Sequence, residues 1–159
     1  MKKRLLLIIV IIAVSTIVCD AQICGNHIFT AKHGDFPESY FPYTKRDVYV
    51  NNGVKFIIAH EGDTYEALGQ EVNISENDIR KFNDVTDWKY EPCIGEVVYL
   101  MAKKNKCDTQ YHKIQDGESM RGISQKYAMS LKALYKKNIK LGVPLHDLRP
   151  GDRICISCK

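Results

Sequence analysis

An internal repeat is the strongest constraint on the fold of this chain. Residues 56–68 match residues 111–123 in apolar, glycine and hydroxyl positions, at an offset of 55 residues. After one extra residue in the second copy, the match ends on the segments that follow Gly95 and Gly151. Each copy spans about 46 residues, so the sequence predicts two small units of one design rather than one large domain.

Each copy predicts a strand, two helices and a second strand. An apolar run at residues 56–59 predicts the first strand, and Thr64 and Ser75 are suited to cap two helices whose apolar residues recur at helical spacing. Ser119 and Ser130 are the equivalent caps in the second copy. The prediction is an α+β fold of two βααβ units in tandem, each with a two-stranded antiparallel sheet packed under two helices.

Both copies resemble LysM modules, the small carbohydrate-binding fold of bacterial cell-wall proteins. The resemblance rests on Gly-Asp-Thr at 62–64, Gly-Glu-Ser at 117–119 and Leu-Arg-Pro-Gly-Asp-Arg-Ile at 148–154. With the lead-in at 50–56, the pair also resembles the C-terminal portion of glucosaminidase-type peptidoglycan hydrolases of Bacteroidetes, without their catalytic domain. The family pattern is not followed at Cys93, Met120 and Cys155.

The resemblance implies non-catalytic binding of a glycan that contains N-acetylglucosamine, peptidoglycan first and chitin-like oligomers second. In LysM modules the sugar lies in a shallow groove between the loop after the first strand and the loop before the last. By resemblance, the first groove is formed by Gly62, Asp63, Thr64, Tyr65, Asn83, Asp84, Val85 and Ile94. The second is formed by Gly117, Glu118, Ser119, Met120, Asn138, Ile139, Lys140 and Leu148. Asp63 and Lys140 are expected to contact the sugar without supporting the fold.

A second hypothesis is a structural or protein-interaction component of an envelope complex that uses LysM folds without sugar. An enzyme is not expected, because no nucleophile motif is present and the segment 22–53, with Glu38, is too short for a two-carboxylate cleft. No cofactor is expected. No metal site is expected either, since His112 and His146 lack metal-ligand spacing.

The N-terminus predicts export. Basic residues at 2–4 precede an apolar run at 5–18, which is shorter than the roughly 20 residues of a membrane span, and cleavage is expected after Ala21. A retained anchor and lipidation at Cys19 are the alternatives, and each leaves the chain periplasmic or otherwise associated with the envelope.

The predicted organisation has five parts. They are a signal peptide at 1–21, an extended aromatic and proline-rich segment at 22–53, a first LysM module at 54–101, a polar linker at 102–110 that permits relative motion, and a second module at 111–159. The segment 22–53 is a candidate docking strip for an envelope protein. The mature form is expected to bind no nucleic acid and to have no membrane span.

Charge is divided between the halves of the chain. Residues 22–100 carry a net charge of −6 and residues 101–159 a net charge of +8. A basic half could face nucleic acid, acidic lipid or an anionic wall polymer, and export argues against the first. A solvated face without a partner is the other interpretation.

Cleavage after Ala21 leaves five cysteines, so one thiol has no partner within the chain. A Cys93–Cys107 disulfide is predicted because the two residues flank the last strand of the first copy. Cys155 and Cys158 are predicted to form a local disulfide, with pairing to Cys24 or Cys107 as the alternative.

Overall fold

The computed structural model describes residues 28–158. The predicted signal peptide, its cleavage after Ala21 and the roles considered for Cys19 and Cys24 therefore lie outside the described residues. Between residues 28 and 158, no helix is both long enough and apolar enough to cross a membrane.

The order strand, helix, helix, strand occurs twice in the described part of the chain. The elements in chain order are β1 (Glu38–Ser39), β2 (Val48–Asn51), β3 (Val54–Ile58), α1 (Tyr65–Val72), α2 (Glu76–Phe82), β4 (Val97–Tyr99), β5 (Tyr111–Lys113), α3 (Met120–Lys126), α4 (Leu131–Lys140) and β6 (Arg153–Cys155). The first copy comprises β3, α1, α2 and β4, and the second comprises β5, α3, α4 and β6.

The four predicted helix caps are confirmed. The hydroxyls of Thr64, Ser75, Ser119 and Ser130 each accept a hydrogen bond from the backbone N–H three residues later. Such a bond satisfies one of the amides that the first helical turn leaves unpaired, which is why a hydroxyl residue at this position fixes where a helix begins.

The sheet of the first copy is larger than predicted. In the second copy β5 and β6 form the expected antiparallel pair, but in the first copy the antiparallel order is β1-β2-β3-β4. A two-residue hairpin at Asn52-Gly53 joins β2 to β3, and both residues have positive φ, at 50° and 70°. This is the backbone that an Asn-Gly turn adopts most easily, so the segment before Val54 folds onto the edge of the sheet.

Both faces of this larger sheet are covered. Ile57 and Val98 pack under the helices with Leu68 and Ile79. On the other face, Phe36 contacts Phe56 edge to face, with ring centroids 5.2 Å apart. That second cluster also contains Ala128 of the second copy. The two copies therefore share part of one core.

The predicted linker is packed against both copies, in contrast to the mobile connection expected from its polar sequence. The backbone N–H of Lys104 donates to the Ala128 carbonyl at 3.0 Å, and the Ser130 N–H donates to the Lys104 carbonyl at 2.7 Å. The side chain of Lys103 is 2% exposed. Lysine content alone does not reveal this, because the burial depends on a partner carboxylate far away in the sequence.

Candidate functional site

The junction between the copies is held by buried charge. The Lys103 ammonium lies 2.5 Å from the Asp84 carboxylate. The same Asp84 oxygen accepts from the Ser124 hydroxyl at 3.3 Å and from the Leu131 N–H at 3.4 Å. Burial lowers the pKa of Lys103 to about 8, although Asp84 acts in the opposite direction. Asp84, expected at the first glycan groove, thus connects the two copies.

Arg121 forms a second contact across the junction. Its guanidinium lies 2.7 Å from the carboxylate of Glu96, which is fully buried. It also donates to the Asn83 carbonyl at 3.2 Å and stacks on the Tyr90 ring at 4.8 Å from the centroid. Burial lowers the pKa of Arg121, but Glu96, Tyr65 and Tyr90 together outweigh burial and the net direction is upward, so the charge of Arg121 is maintained.

Asn83 and Asn138 occupy equivalent positions and make the same contacts. Asn83 donates to the carbonyls of Ile79 and Tyr99 at 2.8 and 3.0 Å and accepts from the Tyr99 N–H at 2.8 Å. Asn138 does the same with Leu134 and Cys155, at 2.9, 2.8 and 2.8 Å. Both asparagines have no exposed surface. Their side chains join the second helix of each copy to its last strand and do not reach solvent.

The loops of the first groove are bridged by a carboxylate of the chain itself. Glu91 accepts from the Tyr65 N–H at 2.7 Å and pairs with Arg80 at 2.6 Å. Tyr65 is fully buried, and its hydroxyl is the buried side-chain polar atom that has no hydrogen-bond partner within the described range. Glu91 therefore occupies the start of α1, where the resemblance places a sugar. The sequence did not single out Glu91.

The carboxylate of Asp63 is fully engaged in bonds within the protein. Both of its oxygens accept from Arg46, at 2.6 and 2.9 Å, and one also accepts from the His60 N–H at 2.7 Å. Burial raises the pKa of Asp63, but Arg46 and the His60 amide outweigh this effect and hold it below its usual value. The expectation that Asp63 does not support the fold is wrong, because Arg46 lies in the segment that folds back beside the first copy.

The remaining first-groove residues differ in exposure. Gly62 is exposed and has φ of 80°, as its turn requires. Thr64 is the cap of α1 and Val85 is half-buried. Ile94 is 66% exposed and leaves an apolar side chain in solvent.

The loop Gly117–Met120, here called the lip of the second groove, is not covered by a side chain of the described residues in the way that the first groove is. Gly117 is exposed, with φ of 74°, and Met120 is buried. No side chain between residues 28 and 158 accepts from the Met120 N–H, in contrast to Tyr65 in the first copy. Among the residues that the resemblance places across from this loop, Ile139 is 64% exposed, Lys140 is exposed and Leu148 is half-buried. The adjacent Leu141, 58% exposed, was not predicted.

Glu118 is anchored below that lip. It lies 2.5 Å from His112 and 3.2 Å from Lys126, and it accepts from the Gln115 N–H at 2.9 Å. Burial raises the pKa of Glu118, but these three partners hold it below its usual value. His112 also contacts the Tyr127 hydroxyl at 2.9 Å. Within residues 28–158 no group of three metal-ligating side chains occurs.

Docking brings residues of the two predicted grooves into one crevice. A cavity of about 300 Å³ is lined by Asp84 and Val85 from the first groove and by Ser119 from the second. Tyr90 and Arg121 complete much of its wall. No sequence signal identifies this crevice, since it exists only through the packing of one copy on the other.

One predicted disulfide is confirmed and the other is wrong. Cys155 and Cys158 are bonded, with Cα atoms 5.5 Å apart. Cys107 is a free thiol that packs against the core of the second copy and donates to the Thr109 carbonyl at 3.5 Å. Cys93 is disulfide-bonded, but not to Cys107. Burial raises the pKa of the Cys107 thiol.

Comparison with known proteins identifies the second copy. The LysM domain family matches residues 112–157. Two similar solved structures are spore cortex-lytic enzymes SleL. That of Bacillus cereus is 22% identical over 66% of this chain and 23% of its own, with a TM-score of 0.28. That of Bacillus megaterium QM B1551 is 19% identical over 65% of this chain and 22% of its own, with a TM-score of 0.26.

The chain thus spans about a quarter of the length of these two enzymes. No curated protein matches it significantly. LysM domains are binding modules for N-acetylglucosamine glycans such as peptidoglycan, and such proteins are typically extracellular or associated with the cell wall. Residues 112–157 of this chain form a LysM domain.

Proposed function

We propose that this protein binds an N-acetylglucosamine glycan, peptidoglycan in the first place, as a non-catalytic anchoring or accessory protein of the cell wall. The observation that carries the proposal is the LysM match at residues 112–157. Within that domain, the sugar occupies the lip between the Gly117–Met120 loop and residues 139–148.

The chemistry of this lip suits an acetamido sugar. The unpaired N–H of Met120 can donate to the acetamido carbonyl, and the exposed side chain of Ile139 offers an apolar wall to the acetamido methyl group. Glu118 and Ser119 set the loop through their bonds to Gln115 and Gly122. Little of the sugar is buried in a shallow groove, so the affinity for one sugar unit is expected to be low.

The first copy is proposed as a second LysM module in tandem, with a subsidiary groove. There Glu91 already accepts from the Tyr65 N–H and is held by an ion pair with Arg80, so a sugar must displace this carboxylate from Tyr65. Asn83 and Tyr65 contribute backbone groups only, since their side chains are buried. The second groove therefore provides most of the affinity.

The proposal also places the protein. An exported chain, processed after Ala21 or anchored at Cys19, meets peptidoglycan in the envelope, with modules at 54–101 and 111–159. The resemblance to the C-terminal part of Bacteroidetes peptidoglycan hydrolases supports the same setting. Exposed Tyr40 and Tyr43, at 74% and 57%, offer an envelope protein a contact surface beside the glycan sites.

A matched pair of isoleucines tests the proposal. Ile139→Ser should weaken binding of a chito-oligosaccharide, measured by calorimetry, and retention on insoluble peptidoglycan. Ile94→Ser is the matched comparison in the subsidiary first groove and should weaken binding less than Ile139→Ser, although Ile94 is equally exposed, at 66% against 64%. Neither exposed change should alter the melting temperature by more than a degree or two.

Three results would contradict the proposal. The parent protein could fail to sediment with peptidoglycan, folded Ile139→Ser could bind as well as the parent, or reducing ends could be released from the glycan. The first two results would favour an envelope scaffold that does not bind sugar. The third would indicate an enzyme.

A further inference from the structure

Two adjoining cavities of the second copy are walled by lysines. One, of about 550 Å³, is lined by residues 105–106 and by helix α4. The other, of about 680 Å³, is lined by residues of the 104–110 connection and by Ser157 and Cys158. Lys106 and Lys137 line both cavities, so we treat the two as one lysine groove. Its cations are Lys104, Lys106, Lys132, Lys136, Lys137 and Lys140.

These charges are not neutralised by the protein. None of the six lysines forms an ion pair within the described range, and the carboxylate among the groove residues there is Asp108. Helix α4 contains no acidic residue, whereas in α2, the matching helix of the first copy, Arg80 pairs with Glu76 at 2.8 Å. The cationic surface therefore belongs to one copy and not to the shared fold.

Folding does not account for the whole cluster. Lys137 and Lys140 lie in the last turn of α4, where positive charge is favoured by the helix dipole. Lys132 lies in the first turn, where it is not. The spacing of Lys132, Lys136 and Lys140 places like charges four residues apart, which destabilises a helix. Helix propensity therefore does not explain the three lysines at this spacing.

The arrangement of the lysines along the groove favours a linear partner. Lys132, Lys136 and Lys140 follow one face of α4 at intervals of about 6 Å, because each residue rises about 1.5 Å. Lys106 stands on the wall formed by the connection. A groove with cations on both walls encloses a linear chain of anions, whereas a flat lipid surface meets only its rim. Lysine ammonium groups act as point charges that suit phosphate.

No aromatic side chain is among the described residues that line the groove. Single-stranded nucleic acids depend on such side chains for base stacking, so their bases find no platform here. We propose that the lysine groove binds a linear, phosphate-bearing polymer of the cell envelope that carries no nucleobases. Lys140, beside the exposed Ile139, lies at the end of the groove next to the proposed glycan lip. The polymer site does not depend on glycan binding.

Two triple variants of equal net charge test this proposal. The first is Lys106→Gln with Lys132→Gln and Lys136→Gln. The control is Lys32→Gln with Lys81→Gln and Lys89→Gln, which removes three exposed lysines elsewhere. The ligand is long-chain inorganic polyphosphate, and binding to the full chain is followed by fluorescence anisotropy at several salt concentrations, with circular dichroism as the check on folding.

The groove variant should bind polyphosphate at least tenfold more weakly, and the control within twofold of the parent. The slope of log K against log salt should also fall by about 2 in the groove variant, since each neutralised phosphate contributes roughly 0.7 for a single-stranded polyanion. Equal loss in both variants would overturn the proposal, because binding would then follow net charge alone. Tighter binding of single-stranded DNA, or of vesicles containing phosphatidylglycerol, would also overturn it.

Discussion

The two copies share a backbone plan and differ at the lip where a glycan would bind. Asn83 and Asn138 join helix to strand through the same three bonds. At the start of the first helix, Glu91 covers the Tyr65 amide in the first copy, whereas the Met120 amide has no described side-chain acceptor. The duplicated fold retains the contacts that it needs to form, and the loops differ in what they leave open to a ligand.

Removing the shared asparagines should have the largest effect. Asn138→Ala leaves the N–H and the carbonyl of Cys155 without their partner in the core and removes a bond to the Leu134 carbonyl, which we expect to lower the free energy of unfolding by about 3 kcal/mol. Asn83→Ala should cost at least as much, since Asn83 also accepts from Gln125 across the junction at 3.2 Å. Urea denaturation measures both changes, and a loss below 1 kcal/mol in either variant would show that the buried amide is dispensable.

The junction predicts a dependence of stability on pH. Lys103 has a pKa of about 8 in the folded protein, below its usual value of about 10.5, so above pH 8 the unfolded chain binds more protons than the folded chain. Lys103 should therefore raise the free energy of unfolding by about 1 kcal/mol as pH increases from 8 to 9. Above pH 9 the buried tyrosines act in the opposite direction, because burial raises the pKa of Tyr65, Tyr90 and Tyr99.

The Cys107 thiol acts in the opposite direction because burial raises its pKa, so the pH series should use Cys107→Ser. Urea denaturation at each pH provides the measurement. Adding Lys103→Met should abolish the rise in the free energy of unfolding with pH. If that free energy still rose with the same slope in the Lys103→Met variant, another group would be responsible.

A smaller effect is expected at Asp63, which the sequence treats as a lip residue. Asp63→Ala removes two bonds to Arg46 and one to the His60 amide, and we expect it to cost about 1–2 kcal/mol. Lys140→Ala, at the other predicted contact, should change stability by about 0.5 kcal/mol or less because Lys140 is exposed. Thermal unfolding of the two variants would contradict this contrast if their midpoints fell together.

The smallest expected effect concerns the covered lip. Glu91→Ala frees the Tyr65 amide, and in an Ile139→Ser background it should raise chito-oligosaccharide binding by about twofold to threefold. Calorimetry measures the change, and Glu91→Gln is the matched control because its amide oxygen can still accept from Tyr65. Equal binding by the Ala and Gln variants would show that Glu91 does not limit the first groove.

Local features of this fold could be predicted, whereas contacts between distant residues could not. The hydroxyls at Thr64 and Ser119 mark helix starts because a cap acts within three residues. Asn52-Gly53 carried a hairpin signal that could have predicted the added strands. Lys103 and Arg121 have the composition of solvated surface, and their burial depends on Asp84 and Glu96 in the other part of the chain.

In the candidate site, too, local features could be predicted and contacts between distant residues could not. The resemblance located the loops at Gly62 and Gly117, and both are exposed turns in the structure. The resemblance could not show that Glu91 bonds to the backbone next to the Gly62 turn. No repeating pattern in a sequence predicts where a side chain of a long loop will lie. The buried side chain of Asn138 was likewise assigned to a groove because matching motifs do not separate contacts to ligand from contacts to the core.

The shared packing around Ala128 has a consequence for how the chain unfolds. Separating the copies would expose Ala128 and the Tyr99 hydroxyl, and it would leave Arg121 and Glu96 without their counter-charges. Neither copy can therefore open at this junction without loss in the other. We expect the two copies to unfold in a single cooperative transition, so that a destabilising substitution in one copy increases the unfolded fraction of both.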